Sequence, residues 1–374
     1  MPPSIAADVT PRNQTTFTPK AGPATLPATM VGLRKLRAEP GMDLCKDIPL
    51  PELGPDDVLV KVQKAGICGT DRGIYEWGPW AKSRVKVGII IGHEVMGHIA
   101  AMGPQVKKSL SVGQRVSVEG HLGCGACQPC RTGNGHVCDK VRIIGIDRDG
   151  TFAEYLAVPA YNIWPLNDAI PDNVAAIMDP FGNAVHTVMA AGVSGKSVLI
   201  TGVGIIGLMA VSVAKAAGAA RLIAADIDPH RLDLAKQLGA DDCIITKGDG
   251  WVDDVRRMTN GLGPEVVCEM SGAQNAINGA LAAVRNCGTM AILGIPKDSV
   301  PVNFNDHVIF KGTRIIGING RRMFETWYQA EELLLSNKVD LRPIITHEIP
   351  LADYRRGFEL MAKGEAIKVI MNVG

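Results

Sequence analysis

The sequence predicts an α/β protein in two parts, a unit of short strands closed into a small barrel followed by a doubly wound parallel sheet. Three observations carry that prediction. Between Ser197 and Gly294, apolar strand runs alternate with helical patterns, the arrangement that builds a parallel sheet covered on both faces. Between Val58 and Ala100, β-branched runs are instead cut by Gly and Pro at short intervals, and helical periodicity is scarce. The chain's 374 residues also exceed what one ordinary core holds, so two domains are expected.

Composition narrows the function classes. A chain with 46% hydrophobic and 21% charged residues and 42 glycines is globular and rich in tight turns. With 39 Lys and Arg against 38 Asp and Glu, dispersed along the chain, it lacks the basic footprint of a nucleic-acid or acidic-membrane binder. Small molecules are the expected partners. No apolar run reaches the roughly 18 residues of a membrane span, and the amino terminus has no apolar signal core, so a cytoplasmic location is expected.

Residues 1–29 are rich in Pro, Thr and Ala and poor in aromatics, and read as a flexible tail that cannot bury enough apolar surface to offset its entropy. With Arg12 and Lys20 as its only basic residues, beside Asp8, it is a weak transit peptide. Structure is expected from Met30.

The short-stranded unit is read from Val58–Val62, Gly88–Ile91 and Val95–Ala100. Two fragments at its strand ends carry possible chemistry, Cys68-Gly-Thr-Asp71 and Gly92-His93-Glu94-Val-Met-Gly97. Thiolate, imidazole and carboxylate are all zinc ligands, and three of them with one open position define a catalytic zinc site. Taken singly, a buried thiol or a satisfied core histidine explains either fragment as well.

The next stretch is far more specific. Cys124, Cys127, Cys130 and Cys138 are separated by two, two and seven residues. Short spacings let neighbouring thiolates converge on one ion, and the longer arm brings the fourth back, giving a tetrahedral four-thiolate zinc site. Such a site leaves no open position, so it predicts a structural clip on a long loop, and the chemistry must lie elsewhere.

Ser197–Ile200 reads as a strand, Thr201-Gly202-Val-Gly204-Ile-Ile206-Gly207 as a glycine turn, and Leu208–Ala217 as a helix. Glycine there permits a tight turn, close approach of a pyrophosphate and helix-on-strand packing, with the helix amino terminus as the anion site. A second strand, Arg221–Ala225, ends in Asp226, 19 residues beyond Gly207. An acid at about that interval accepts the ribose hydroxyls of NAD and repels the 2′-phosphate of NADP. The alternation continues through Arg231–Leu238, Asp242–Ile245, Val266–Glu269, Met290–Gly294 and Arg314–Ile318. A helix-rich end follows, Glu325–Ser336 and Leu351–Ala362, closing on the strand Ile367–Val373.

Taken together, the four-cysteine loop, the Gly-His-Glu-x-x-Gly turn and the glycine fingerprint resemble the zinc-dependent medium-chain dehydrogenase/reductase family, over nearly everything from Met30 onward. Longer segments strengthen the resemblance: Val118-Glu-Gly-His121, Asp179–Thr187, Cys268–Gly272, Leu293–Pro296, Met323–Tyr328 and Pro343–His347. The resemblance implies a GroES-like β-barrel catalytic domain, residues 30–182 and 321–374, split around a Rossmann domain of residues 183–320. It implies one catalytic and one structural Zn2+ per subunit, NAD as cofactor and a homo-oligomer, a tetramer in relatives. It makes Cys68, His93 and Glu94 ligands or near neighbours of the catalytic metal, with Asp179 beside or on it. Thr70 takes the hydroxyl proton and His121 helps hold the substrate. Ile206, Asp226 and Arg231 contact NAD with Gly202, Gly204 and Gly207, while Leu293, Gly294, Ile295, Ile318 and Asn319 line the nicotinamide side. The implied reaction is NAD-dependent oxidation of the secondary alcohol of L-threonine, with a related polyol, diol or amino-alcohol as the alternative and a catalytically silent metal- and nucleotide-binding protein as the non-enzymatic one.

Three positions depart from the family pattern. After Cys-Gly-Thr-Asp the family usually carries a histidine as the outer member of a proton relay, and this chain has Arg72 and then Gly73. Glycine cannot carry a proton, so water filling the space, or Arg72 favouring the deprotonated relay, is expected to substitute. Asn319 stands where tyrosine is common, and Arg322 follows near the cofactor or subunit face.

Overall fold

The computed structural model describes residues 26–107, 109–248 and 250–374; of the expected tail, residues 1–25 lie outside the described residues. Two sheets dominate. The larger holds the strands Ile345–Pro350, Lys368–Asn372, Asp57–Gly66, Glu94–Met102, Arg115–Val118 and Ile163–Pro165 in that order, with Tyr155–Pro159 also paired to Asp57–Gly66. The other is a six-stranded sheet, every pairing parallel, in the order Asp242–Ile245, Arg221–Asp226, Ser197–Thr201, Val266–Glu269, Thr289–Ile292, Arg314–Gly317. Numbered along the chain, that order is 3-2-1-4-5-6, the doubly wound arrangement whose direction reverses beside Ser197–Thr201 and leaves a ligand crevice there.

Burial explains the apolar runs. Val198, Leu199, Ile200, Val266, Val267 and Cys268 are fully buried, as strands covered by helices on both faces must be. The helix Ile205–Ala216 has buried residues at every position from Gly207 to Ala214, so small and aliphatic side chains serve it throughout rather than on one stripe. Helix Pro229–Gln237 opens with Pro at its first position and with the Asp228 carboxylate accepting the His230 N–H, a proline and an N-cap where helix starts favour them.

In the barrel, Asp57–Gly66 is the central strand. Its end lies between two others: Gly66 pairs with Glu94 on one side and with Ile370 of the carboxy-terminal strand on the other. A side chain at Gly66 would collide with the Glu94 carboxylate, so glycine is what lets these three strands meet there. Register shifts between Leu59 and Val60 and between Val62 and Lys64 bend the strand, as bulges do in closed sheets. The expected strand Gly88–Ile91 is reduced to a bridge between Ile90 and Arg34, because Gly88 and Gly92 on either side turn the backbone to φ +94° and +93°. The helix expected from Leu351 begins at Tyr354 after a 3₁₀ turn over Leu351–Asp353. No helix of the described residues is long and apolar enough to cross a membrane.

Candidate active site

The barrel register and the switch point of the parallel sheet bring the two kinds of predicted residue into separate clusters. Cys68 leaves the central strand as the N-cap of the short helix Gly69–Tyr75, and His93 and Glu94 stand at the start of the opposing strand. Ligand atoms of these three lie within 4.8 Å of one another. Thiolate, imidazole and carboxylate at that spacing fit zinc, and as three protein donors they leave a position for substrate. The Asp71 carboxylate, fully buried, accepts the Cys68 N–H at 2.9 Å and lies 3.4 Å from His93 Nδ1, so it anchors the turn and stands beside the His93 ring. Burial alone would lower the His93 pKa; Asp71 reverses that and holds it well above the ordinary imidazole range. Glu94 is gripped by Lys368, fully buried, at 2.6 Å. Burial still keeps its carboxyl above the usual range, against the pull of Lys368.

Asp179 sits in the first turn of helix Met178–Ala191, next to this cluster but not one of its three convergent donors. Its Oδ2 lies 2.6 Å from Arg321 Nη1. Gly120 separates the parts: an ideal Cβ there would be 3.4 Å from Asp179 Oδ2 and 3.9 Å from His93 Cβ. Thr70 is half-buried on the short helix, and its hydroxyl takes part in none of the hydrogen bonds among the described residues. The Arg72 guanidinium pairs with Glu76 at 2.6 Å, one turn along the same helix. Arg322 likewise pairs with Glu325, at 3.0 Å.

His121 is buried, with its Nδ1 2.9 Å from Glu119 Oε1. Sequence reasoning missed Glu119, Arg321, Trp327 and Lys368. Glu119 and His121 share the segment Val118–His121, but the partners Arg321 and Trp327 come from more than 200 residues away, and no local pattern marks that.

The glycine fingerprint fits a dinucleotide by its shape. Gly202 has φ +79°, Gly204 has open space where a side chain would stand, and a side chain at Gly207 would collide with the Gly202 carbonyl. These are the turn, the approach surface and the close helix packing that pyrophosphate binding needs. Ile206 and Gly207 form the first turn of the helix that follows. Gly202, Gly204, Asp226 and Arg231 line a cavity of about 410 Å³ together with Trp251 and Ser271. Asp226 is held in place by the N–H groups of Val203 and Asp228, at 2.7 and 3.0 Å. Leu293, Gly294 and Ile295 follow one sheet strand, and Ile318 and Asn319 follow the next, outside that cavity but at the same edge of the sheet. Glu269 ties the two neighbouring turns: its carboxylate accepts the Ser271 and Gly272 N–H groups, and its carbonyl accepts those of Leu293 and Gly294.

Cys124, Cys127, Cys130 and Cys138 also converge within 4.8 Å. Their sulfurs accept backbone N–H groups from Cys124, Cys127 and Lys140, which favours the thiolate. Backbone donors pull the Cys124 thiol down to about 6, while burial and its thiol neighbours push Cys130 up to about 12. Four sulfurs converging on one point, with backbone donors favouring thiolate, suit a metal cation.

Residues 206–336 match the zinc-binding dehydrogenase family and residues 54–168 the alcohol dehydrogenase GroES-like domain. The chain belongs to this family of zinc-binding alcohol dehydrogenases. Within it, the chain is 45% identical over 342 residues to an L-threonine 3-dehydrogenase of Bacillus licheniformis, spanning 91% of this chain and 98% of that one. A second L-threonine 3-dehydrogenase, from Symbiobacterium thermophilum, is 45% identical over 92% of this chain and 97% of its own length. Among solved structures, an alcohol dehydrogenase from Thermus sp. ATN1 superposes with a TM-score of 0.83 at 30% identity, over 92% of this chain and 99% of that one. An alcohol dehydrogenase from E. coli CFT073, complexed with NADH, does so with a TM-score of 0.84 at 26% identity, covering the same shares.

Proposed function

We propose that the protein oxidises the secondary alcohol of L-threonine to L-2-amino-3-oxobutanoate, with NAD reduced to NADH and a proton released. The observation that carries the reading is the Cys68, His93 and Glu94 cluster with Thr70 beside it on the Cys68 turn; the similarity to L-threonine 3-dehydrogenases supplies the substrate. Cys68, His93 and Glu94 would hold a catalytic zinc, with Asp179 next to it, and the four other cysteines a structural one. When bound, zinc supplies Lewis acidity toward the alcohol oxygen and NAD the hydride acceptor.

The remaining work falls to the chain. Thr70 accepts the alcohol proton through its unengaged hydroxyl, and His121 orients the substrate. Gly202, Gly204, Ile206 and Gly207 receive the pyrophosphate, and Asp226 and Arg231 the adenosine ribose. Leu293, Gly294, Ile295, Ile318 and Asn319 flank the nicotinamide. In this reading the catalytic domain comprises 30–182 and 321–374 and the cofactor domain 183–320, a division supported by the carboxy-terminal strand pairing with the barrel. The subunit also forms a homo-oligomer, for which the edge strand Arg314–Gly317, with Ile315, Ile309 and Phe310 exposed, offers an unpaired sheet edge.

The test is the initial rate of NADH formation with L-threonine against sorbitol and 2,3-butanediol, repeated with NADP. Preference for L-threonine and NAD is expected. A higher kcat/KM for either polyol would move the assignment to that substrate class, and no reduction with any of them would remove the dehydrogenase reading.

A further inference from the structure

We propose that Glu119 is a positioning residue for this reaction, fixing the ring of His121 with Nε2 as its free nitrogen and tying that ring to Asp179 and the cofactor-side turn through Arg321. The inference rests on the dehydrogenase reading above and on His121 meeting the substrate. Its geometric basis is a single carboxylate, fully buried, that receives five donors. Oε1 accepts the His121 N–H at 2.8 Å, His121 Nδ1 at 2.9 Å and Arg321 Nη2 at 2.5 Å. Oε2 accepts Arg321 Nε at 2.9 Å and Trp327 Nε1 at 2.6 Å.

An ionised carboxylate only accepts, so His121 Nδ1 must carry the hydrogen that faces Glu119. Arg321 Nη2, 3.0 Å from the same nitrogen, is a donor that would suit the opposite tautomer; its charge-assisted bond to Glu119 Oε1 at 2.5 Å is the stronger one, which leaves Nδ1 to the carboxylate. The neutral ring is thereby left with Nε2 as an acceptor, and Nε2 joins none of the hydrogen bonds among the described residues. The adjoining turn keeps that ring edge clear. An ideal Cβ at Gly320 would stand 2.7 Å from His121 Cε1 and 3.0 Å from Nε2, and Gly320 has φ +55°. Burial would raise the Glu119 pKa, but Arg321 overrides it and holds the group far below the carboxylate range, so the acceptor stays ionised.

The same guanidinium reaches Asp179 Oδ2 at 2.6 Å. Arg321 also follows Ile318 and Asn319 directly through Gly320, whose carbonyl is 2.9 Å from His186 Nδ1. A fixed ring with an acceptor nitrogen suits a substrate that presents a donor, such as the ammonium or hydroxyl of an amino-alcohol. Glu119 touches neither substrate nor cofactor, and acts through His121 and Arg321.

The experiment is nitrogen NMR of the full-length protein labelled in its histidine rings, with His121 assigned by loss of its signals in His121→Ala, together with steady-state kinetics on Glu119→Gln, His121→Ala and their combination. The parent is expected to carry the His121 hydrogen on Nδ1, and Glu119→Gln to populate the other tautomer. Glu119→Gln should lower kcat/KM for the alcohol by about 10–100-fold, as loss of an orienting partner does, and the combined variant should be no worse than His121→Ala. Additive losses, or a parent with the hydrogen on Nε2, would overturn the proposal. Should Glu119→Gln fail to fold, the parent tautomer and Trp327→Phe, which removes one donor and no charge, still decide it: a smaller loss of kcat/KM supports it and none counts against it. The parent tautomer is read without substrate, so a protein that oxidises no alcohol sinks the dehydrogenase reading alone. The wrong tautomer in a protein that oxidises L-threonine sinks only this one.

Discussion

A proton accepted by Thr70 has no side chain to go to at position 73. An ideal Cβ on Gly73 meets no atom within 4 Å, and Arg72 is turned into its pair with Glu76. Open space at that point admits water, which can carry the proton outward. Thr70→Val removes the hydroxyl while keeping the side-chain volume, and turnover should fall by about 10²–10⁴-fold, the range of a general-base contribution. Gly73→His meets no atom at its Cβ and adds a group that titrates near neutrality, so a new inflection is expected in the pH profile of kcat at saturating NAD. Zinc content and KM for NAD should stay near the parent values in both variants, since neither side chain is a ligand. Full activity in Thr70→Val would exclude Thr70 from the proton path.

The four-cysteine loop shows what an element can reveal by spacing alone. Its ligands lie within fifteen residues, so the distances between them are set locally and were legible. The short helix Gln128–Arg131 and glycines at φ +72° and +78°, Gly125 and Gly133, then fold the chain around one point. Cys127→Ser should lower the thermal midpoint and remove one equivalent of zinc, because a closed site contributes folding free energy. Molecules that remain folded should keep their chemical step, since this loop offers no open coordination position. A parent-like midpoint and zinc content in Cys127→Ser would show that the loop does not depend on metal.

At the scale of the whole molecule, what could be read from sequence was what repeats or lies close along the chain: the alternation that gives the parallel sheet, the glycine fingerprint, and Asp226 at its interval. The pairs that close the site, Glu119 with Arg321 and Glu94 with Lys368, span 202 and 274 residues and obey no periodicity. Lys368 reaches Glu94 only because the carboxy-terminal strand returns to pair with Asp57–Gly66, so a residue near the chain's end sets the charge beside a candidate ligand. Its ammonium also donates to the Ile67 carbonyl at 2.9 Å, fastening the turn that carries Cys68. Lys368→Met keeps much of the apolar stem but leaves the Glu94 carboxyl without its partner in a fully buried position, and should destabilise the protein by about 3–5 kcal/mol, the range for breaking a buried pair. Glu94→Gln in the same chain removes the unpaired carboxyl and should restore most of that loss, although the metal site would remain impaired. Chemical denaturation midpoints of the parent and the two variants measure this directly. If Lys368→Met were as stable as the parent, the carboxy-terminal strand would be closing the barrel without the buried pair contributing, and Glu94 would have to be satisfied by other groups.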